Sequence, residues 1–135
     1  MSQLTKLMCG IIILTIPTIQ YGGYFLLRIL SSHMQHLELT AFQKAMFRAG
    51  HAHAGVIVIL SLVCQILVDH AVLPNVLAWV VRIGLPLSAI LISGGFFASA
   101  GGKDATSPNG MIVILYVGVF LLAASLIMLG VGLLR

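Results

Sequence analysis

Four apolar runs constrain this chain more than any other feature: about Leu7 to Leu30, Gly50 to Val72, Val76 to Ala98 and Gly110 to Leu134. Each is long enough to cross the hydrocarbon core of a bilayer, which takes about 20 residues of helix. Inside lipid every backbone N–H and C=O must be satisfied within the segment, so runs of this length imply helices. With 60% apolar and 7% charged residues and a mean hydropathy of +1.14, the chain has too little polar surface for a water-soluble globule. The expected fold is therefore all-α: one transmembrane domain over residues 1–135, a four-helix bundle with an interfacial amphipathic segment between the first and second spans. The lipid bilayer is its first partner. A formal charge of +4, scattered along the chain, reads as interfacial anchoring, and a nucleic-acid partner is not expected.

The first run follows Lys6 as a signal peptide would, but it is too long for an h-region, and Tyr21, Tyr24 and Arg28 stand where small residues would mark cleavage. It reads as a retained span. Pro17 removes a backbone donor near its middle, with Thr15 and Thr18 placed to serve freed carbonyls. Gln20, Tyr21, Gly22 and Gly23 make its second half small and polar, a face expected to look into the bundle. From Ser31 to Arg48, polar residues alternate with Met34, Leu37, Leu39, Phe42, Met46 and Phe47 in the pattern of an interfacial helix.

The second run opens at Gly50, a candidate cap, and closes at Asp69, His70 and Pro74. At about 100° per residue, Arg48, His51, Gly55, Val58, Leu62, Gln65 and Asp69 fall along one stripe, expected to face protein. In the third run Arg82 stands just inside the interface marked by Trp79, within reach of Asp69. Gln20, Gln65, Asp69 and Arg82 thus form the expected polar intramembrane face. Pro86 is a second mid-span proline, and Ser93, Gly94, Gly95, Ala98 and Ser99 form a seam suited to close packing. Ser107 and Pro108 are expected to cap the fourth span. Cys9 and Cys64 lie in separate apolar runs without metal-site spacing and read as small packing residues.

Four spans place both termini on one side. The other side, with Arg28, Lys44, Arg48 and Lys103 against Lys6, Arg82 and Arg135, is expected to be cytoplasmic, in the inner membrane of a bacterium. That side also carries His33, His36, His51 and His53, candidate ligands for a metal ion. His33 and His36 are three apart and share a helical face, whereas His51 and His53 are about 200° apart on a regular helix. Near a helix N-terminus the dipole keeps an imidazole neutral and able to ligate. Imidazole suits copper, zinc or iron, haem iron included. Arg48, His51 and His53 are the expected cofactor-binding residues, with Arg48 serving an anionic group.

The stretch Phe47 to Gly55, FRAGHAHAG, and the closing Leu129 to Arg135, LGVGLLR, resemble a family of small bacterial four-helix membrane proteins. The resemblance implies a bundle and no particular activity. More distantly, His51-Ala52-His53 is similar to the His-Xaa-His at span starts in relatives of the haem-copper oxidases, which implies haem or copper. Arg48, Ala49 and His51 also resemble the Arg-Ala-His-type motif of the membrane-associated glutathione-dependent (MAPEG) proteins, with Ala54, Gly55 and Val56 in place of the Asn and Glu of that motif.

From these residues, the leading expectation is a membrane-embedded histidine site for a metal ion or haem. The second is a small transporter or channel formed by a homo-oligomer or with a membrane-protein partner, its path lined by Gln20, Gln65 and Asp69. A membrane enzyme acting on a lipophilic substrate stands third, because no nucleophile and base pair stands out.

Overall fold

The computed structural model describes residues 1–31 and 38–135. Four helices account for nearly all of them: α1 Gln3–Leu30, α2 Ala41–Val68, α3 Asn75–Ser99 and α4 Ile112–Leu133. Each is long and apolar enough to cross a membrane. Successive helices run antiparallel, so the chain ends lie together at one end of the bundle, and the end of α1, the start of α2 and the 100–111 connection lie at the other.

Local chemistry sets the helix ends, and two differ from expectation. The second helix starts at Ala41 rather than Gly50, because Thr40 and Gln43 form a capping box: the Thr40 hydroxyl accepts from the Gln43 N–H, and the Gln43 side chain accepts from the Thr40 N–H. The part of the amphipathic stretch from Ala41 to Arg48 is therefore the first turns of α2. Gly50 is no cap; it is buried, and an added Cβ would lie 3.0 Å from Phe96 and Phe97. The fourth helix starts at Ile112, and Ser107 does not cap it. Asn109 does that work instead: its Oδ1 accepts from the Met111 N–H at 2.8 Å, and its Nδ2 donates to the Ala98 and Gly101 carbonyls.

α3 is the most enveloped helix, packed between α2 and α4, while α1 leans mainly on α2. The α3–α4 contact depends on glycine. A Cβ on Gly95 would stand 2.5 Å from the Leu115 backbone nitrogen, and one on Gly118 would stand 2.9 Å from the Ile92 nitrogen. With no lipid-excluded driving force beyond packing itself, such close approach is how spans gain contact area. Of the expected seam, Gly94 lies outside this contact, with nothing within 4 Å of an added Cβ.

Two apolar cores result. Ile12, Ile57, Val58, Ala89, Ile92 and Leu115 form one. Cys64, Val68, Val81, Leu85 and Leu129 form the other, nearer the chain ends, with Cys64 a free thiol. Each bundle end is tied by polar bonds. At the far end, Gln43 Nε2 donates to the Ala100 and Gly102 carbonyls and the Thr40 hydroxyl to Ala105. At the near end the Val72 N–H donates to the Gly132 carbonyl at 2.7 Å.

Candidate functional site

Two sets of polar side chains and one apolar groove stand out along the bundle. The first is built around Arg82, which lies two turns into α3 and is 5% exposed. Its Nη2 pairs with Asp69 Oδ1 at 2.7 Å, as the sequence leads one to expect. Its Nη1 donates to the Thr5 hydroxyl at 2.9 Å and to Gln65 Oε1 at 3.1 Å. Asp69, just past the end of α2, also accepts from the Thr5 hydroxyl at 2.7 Å, the Ser2 hydroxyl at 2.9 Å and the Ser2 N–H at 2.7 Å. The Ser2 N–H foremost, then the Thr5 hydroxyl and the Arg82 guanidinium, hold the Asp69 carboxyl well below the usual carboxylate range.

Pro86 explains why Gln65 belongs to this cluster. Proline has no N–H, so the Arg82 carbonyl four residues earlier loses its intrahelical donor. Gln65 Nε2 supplies one at 2.7 Å. The cluster thus joins α1, α2 and α3 with every charged group paired. Ser2 and Thr5 escape sequence reasoning, because a serine and a threonine at a helix start read as a cap. Ser2 is indeed one, its hydroxyl accepting from the Thr5 N–H.

Gln20 does not join this polar face: it is exposed on α1, as are Tyr21 and Tyr24. The inward face of that segment is Gly22 and Gly23 alone. The Thr15 and Thr18 hydroxyls donate to the Ile12 and Thr15 carbonyls of their own helix.

The histidines form the second cluster. His51 and His53 point to different neighbours. The His51 ring lies against α1, where a Cβ on Gly23 would sit 3.1 Å from its Nε2 and one on Gly22 would sit 3.6 Å from its Nδ1. It is half-buried and has no hydrogen-bond partner among the described residues. Because α2 starts at Ala41, His51 stands well inside the helix, and the argument from a helix N-terminus does not apply to it. His53 is exposed; its ring tilts against Phe96 at 5.0 Å, and its Nδ1–H donates to the Ala49 carbonyl at 2.7 Å. Arg48 is exposed and donates to the Lys44 carbonyl of its own helix. His51 and His53 thus face different neighbours, and no group of three His, Cys, Asp or Glu suited to a metal occurs among the described residues. His33 and His36 lie outside the described residues.

The third feature is a half-open groove of about 400 Å³ bounded by α1, α2 and α3, with Ile11, Ile83 and Ile90 of its wall exposed. Its wall is almost wholly apolar, with Ile12 and Ile19 from α1, Ala54 and Val58 from α2, and Ala89 and Ile90 from α3; none of the lining residues is charged. Ser93 also lines it, and its hydroxyl is buried without a hydrogen-bond partner. That is unusual within this bundle. The buried hydroxyls of Ser61, Ser88 and Ser99 donate to the carbonyls of Ile57, Leu85 and Phe96 in their own helices. Ser125, the other buried serine without a partner among the described residues, is wedged against Gly84 and does not line this groove. Nothing in the sequence distinguishes Ser93 from the serines around it.

Four candidate spans tied by a buried ion pair define a multi-pass integral membrane protein. No family model, no curated protein and no solved structure matches the chain.

Proposed function

We propose that this protein binds a lipophilic small molecule within the membrane, in the groove between α1 and α3. One observation carries the reading: a half-open apolar groove of about 400 Å³, inside the size range of small-molecule sites, whose wall carries no charged side chain. The polar residues that a transport path would need support it indirectly, since Gln65, Asp69 and Arg82 are committed to one another.

Native mass spectrometry of the protein released from lipid nanodiscs tests this. The wild type is expected to retain one lipophile per chain, and Ala54→Phe, which fills the groove, to lose it. A wild-type protein that retains none, and takes up none from added apolar probes, would sink the reading.

The metal or haem reading has a narrower support. The Ala49 carbonyl makes His53 Nδ1 a donor, and in the neutral imidazole that leaves Nε2 to accept, the hydrogen-bonding arrangement of a ligating histidine. Further ligands would come from His33 and His36 or from a second copy of the chain. An absorption spectrum and elemental analysis, after purification with metal and haem supplied, decide it: a Soret band or stoichiometric metal lost in His53→Ala supports it, and a colourless, metal-free protein rejects it.

A further inference from the structure

We infer that two copies of this chain associate in the membrane through the outward face of α1, with Gln20 of each copy hydrogen-bonded to Gln20 of the other. Ile13, Pro17, Gln20 and Tyr24 recur at four- and three-residue steps and so share one face, and all four are exposed. It is the side of α1 turned away from the buried Ile12 and Leu26. Of the four candidate spans, α1 is the least buried.

Gln20 lies deep in its span. Lys6 and Arg28 mark the two ends, and Gln20 is about 5 Å from the level midway between them at roughly 1.5 Å per residue. With a hydrocarbon half-thickness of about 15 Å, its Cα is about 10 Å inside the nearer boundary. A helical side chain leans toward the helix N-terminus, here toward the midplane, so this amide cannot snorkel out as Arg28 can. It has no hydrogen-bond partner among the described residues. An amide left facing hydrocarbon in that state is costly, and a polar group from a neighbouring helix removes the cost.

A gap in the backbone lies on the same face. Pro17 has no N–H to give the Ile13 carbonyl, and the Thr15 and Thr18 hydroxyls donate instead to the Ile12 and Thr15 carbonyls. At Pro86 a neighbouring helix supplies a glutamine, Gln65, to the freed Arg82 carbonyl. At Pro17 the face is open, and the glutamine stands exposed on it.

A second copy is the occupant that fits. Copies related by a two-fold axis along the membrane normal meet residue against the same residue at each depth. An amide carries both donors and an acceptor, so two Gln20 side chains can satisfy each other reciprocally; a donor-only group such as a guanidinium could not. No charged residue stands between Lys6 and Arg28 to oppose the approach. The groove is lined by other residues of α1, so the two sites are separate.

The test measures energy transfer between fluorescently labelled copies of the full chain in vesicles at graded protein-to-lipid ratios. A dimer is expected, weakened about tenfold in Gln20→Leu, the effect of losing one interhelical polar contact, and less in Gln20→Asn. Oxidative cross-linking in a Cys9→Ser background locates the contact with Gln20 intact. Ile13→Cys and Tyr24→Cys are expected to give covalent dimers, whereas Val56→Cys on α2 and Ile127→Cys on α4, at similarly exposed positions, are not. A chain that stays monomeric at every ratio, or a dimer that cross-links through α2 or α4 and not through α1, would overturn the inference. Equal association of the wild type and Gln20→Leu would overturn the Gln20 contact.

Discussion

Gln65 Nε2 donates at 2.7 Å to the carbonyl of Arg82, the group that Pro86 deprives of its intrahelical hydrogen bond. A break in one helix is thus mended by a side chain from its neighbour, and the mending residue also accepts from the Arg82 guanidinium. In hydrocarbon no water is present to do this, so the proline and the glutamine belong together.

Gln65→Leu is therefore expected to destabilise the bundle by about 2 kcal/mol, since it orphans the Arg82 carbonyl, while Arg82 Nη1 keeps the Thr5 hydroxyl and the residue-65 carbonyl as acceptors. Pro86→Ala restores the missing N–H. In the Gln65→Leu background it is expected to recover about 1 kcal/mol, more than it adds to the wild type. Reversible unfolding in mixed micelles, run as a double-mutant cycle, reads the coupling; strictly additive effects would contradict the pairing.

Asp69→Asn leaves Arg82 buried without its counter-charge, with an expected cost of about 3–5 kcal/mol. The pH dependence follows from the same contacts. The Asp69 carboxyl is held below its ordinary value, so its contribution to stability is fully present above the unfolded carboxylate pKa of about 3.9 and is lost as pH falls toward the folded value. Unfolding measured against pH should show a fall on the acid side below about pH 4, and that part of the fall should vanish in Asp69→Asn.

Adjacent glycines in α3 should respond oppositely to alanine. At Gly95 an added Cβ would lie 2.5 Å from the Leu115 backbone nitrogen and 2.7 Å from its Cα, atoms that cannot move aside without shifting α4. A loss of about 3 kcal/mol is expected. At Gly94 nothing lies within 4 Å, so alanine should be neutral or stabilise by up to about 1 kcal/mol through helix propensity. Thermal melting of the two variants side by side settles the comparison.

Ser93→Ala should raise the stability of the ligand-free protein by about 1 kcal/mol, because it removes an unpartnered buried hydroxyl without opening a larger void. Ser88→Ala, which removes a hydroxyl already bonded to Leu85, should be neutral or slightly destabilising. Thermal melting of the two variants side by side checks the contrast.

Much of the bundle is legible in the sequence. Length and hydropathy give four spans, because a bilayer demands continuous apolar helix and leaves few alternatives. Helical periodicity separates His51 from His53, and the structure places one ring on α1 and the other on Phe96. The reach of Arg82 to Asp69 across a short turn is equally local. Helix boundaries are less legible where a capping box lies inside an amphipathic stretch, as Thr40 and Gln43 do.

What the tertiary structure alone decides is how neighbouring helices are rotated and offset against each other. A sequence assigns residues to faces of one helix, at about 100° per residue, but does not say which atom of the next helix each face meets. That offset turns Gln20 outward, brings Ser2 and Thr5 onto Asp69, and buries Gly50 against Phe96 and Phe97. It also opens the groove between α1 and α3 and leaves the Ser93 hydroxyl buried without a partner. Whether a serine is satisfied depends on every acceptor within about 3 Å of it, and those acceptors come into place only when the helices pack.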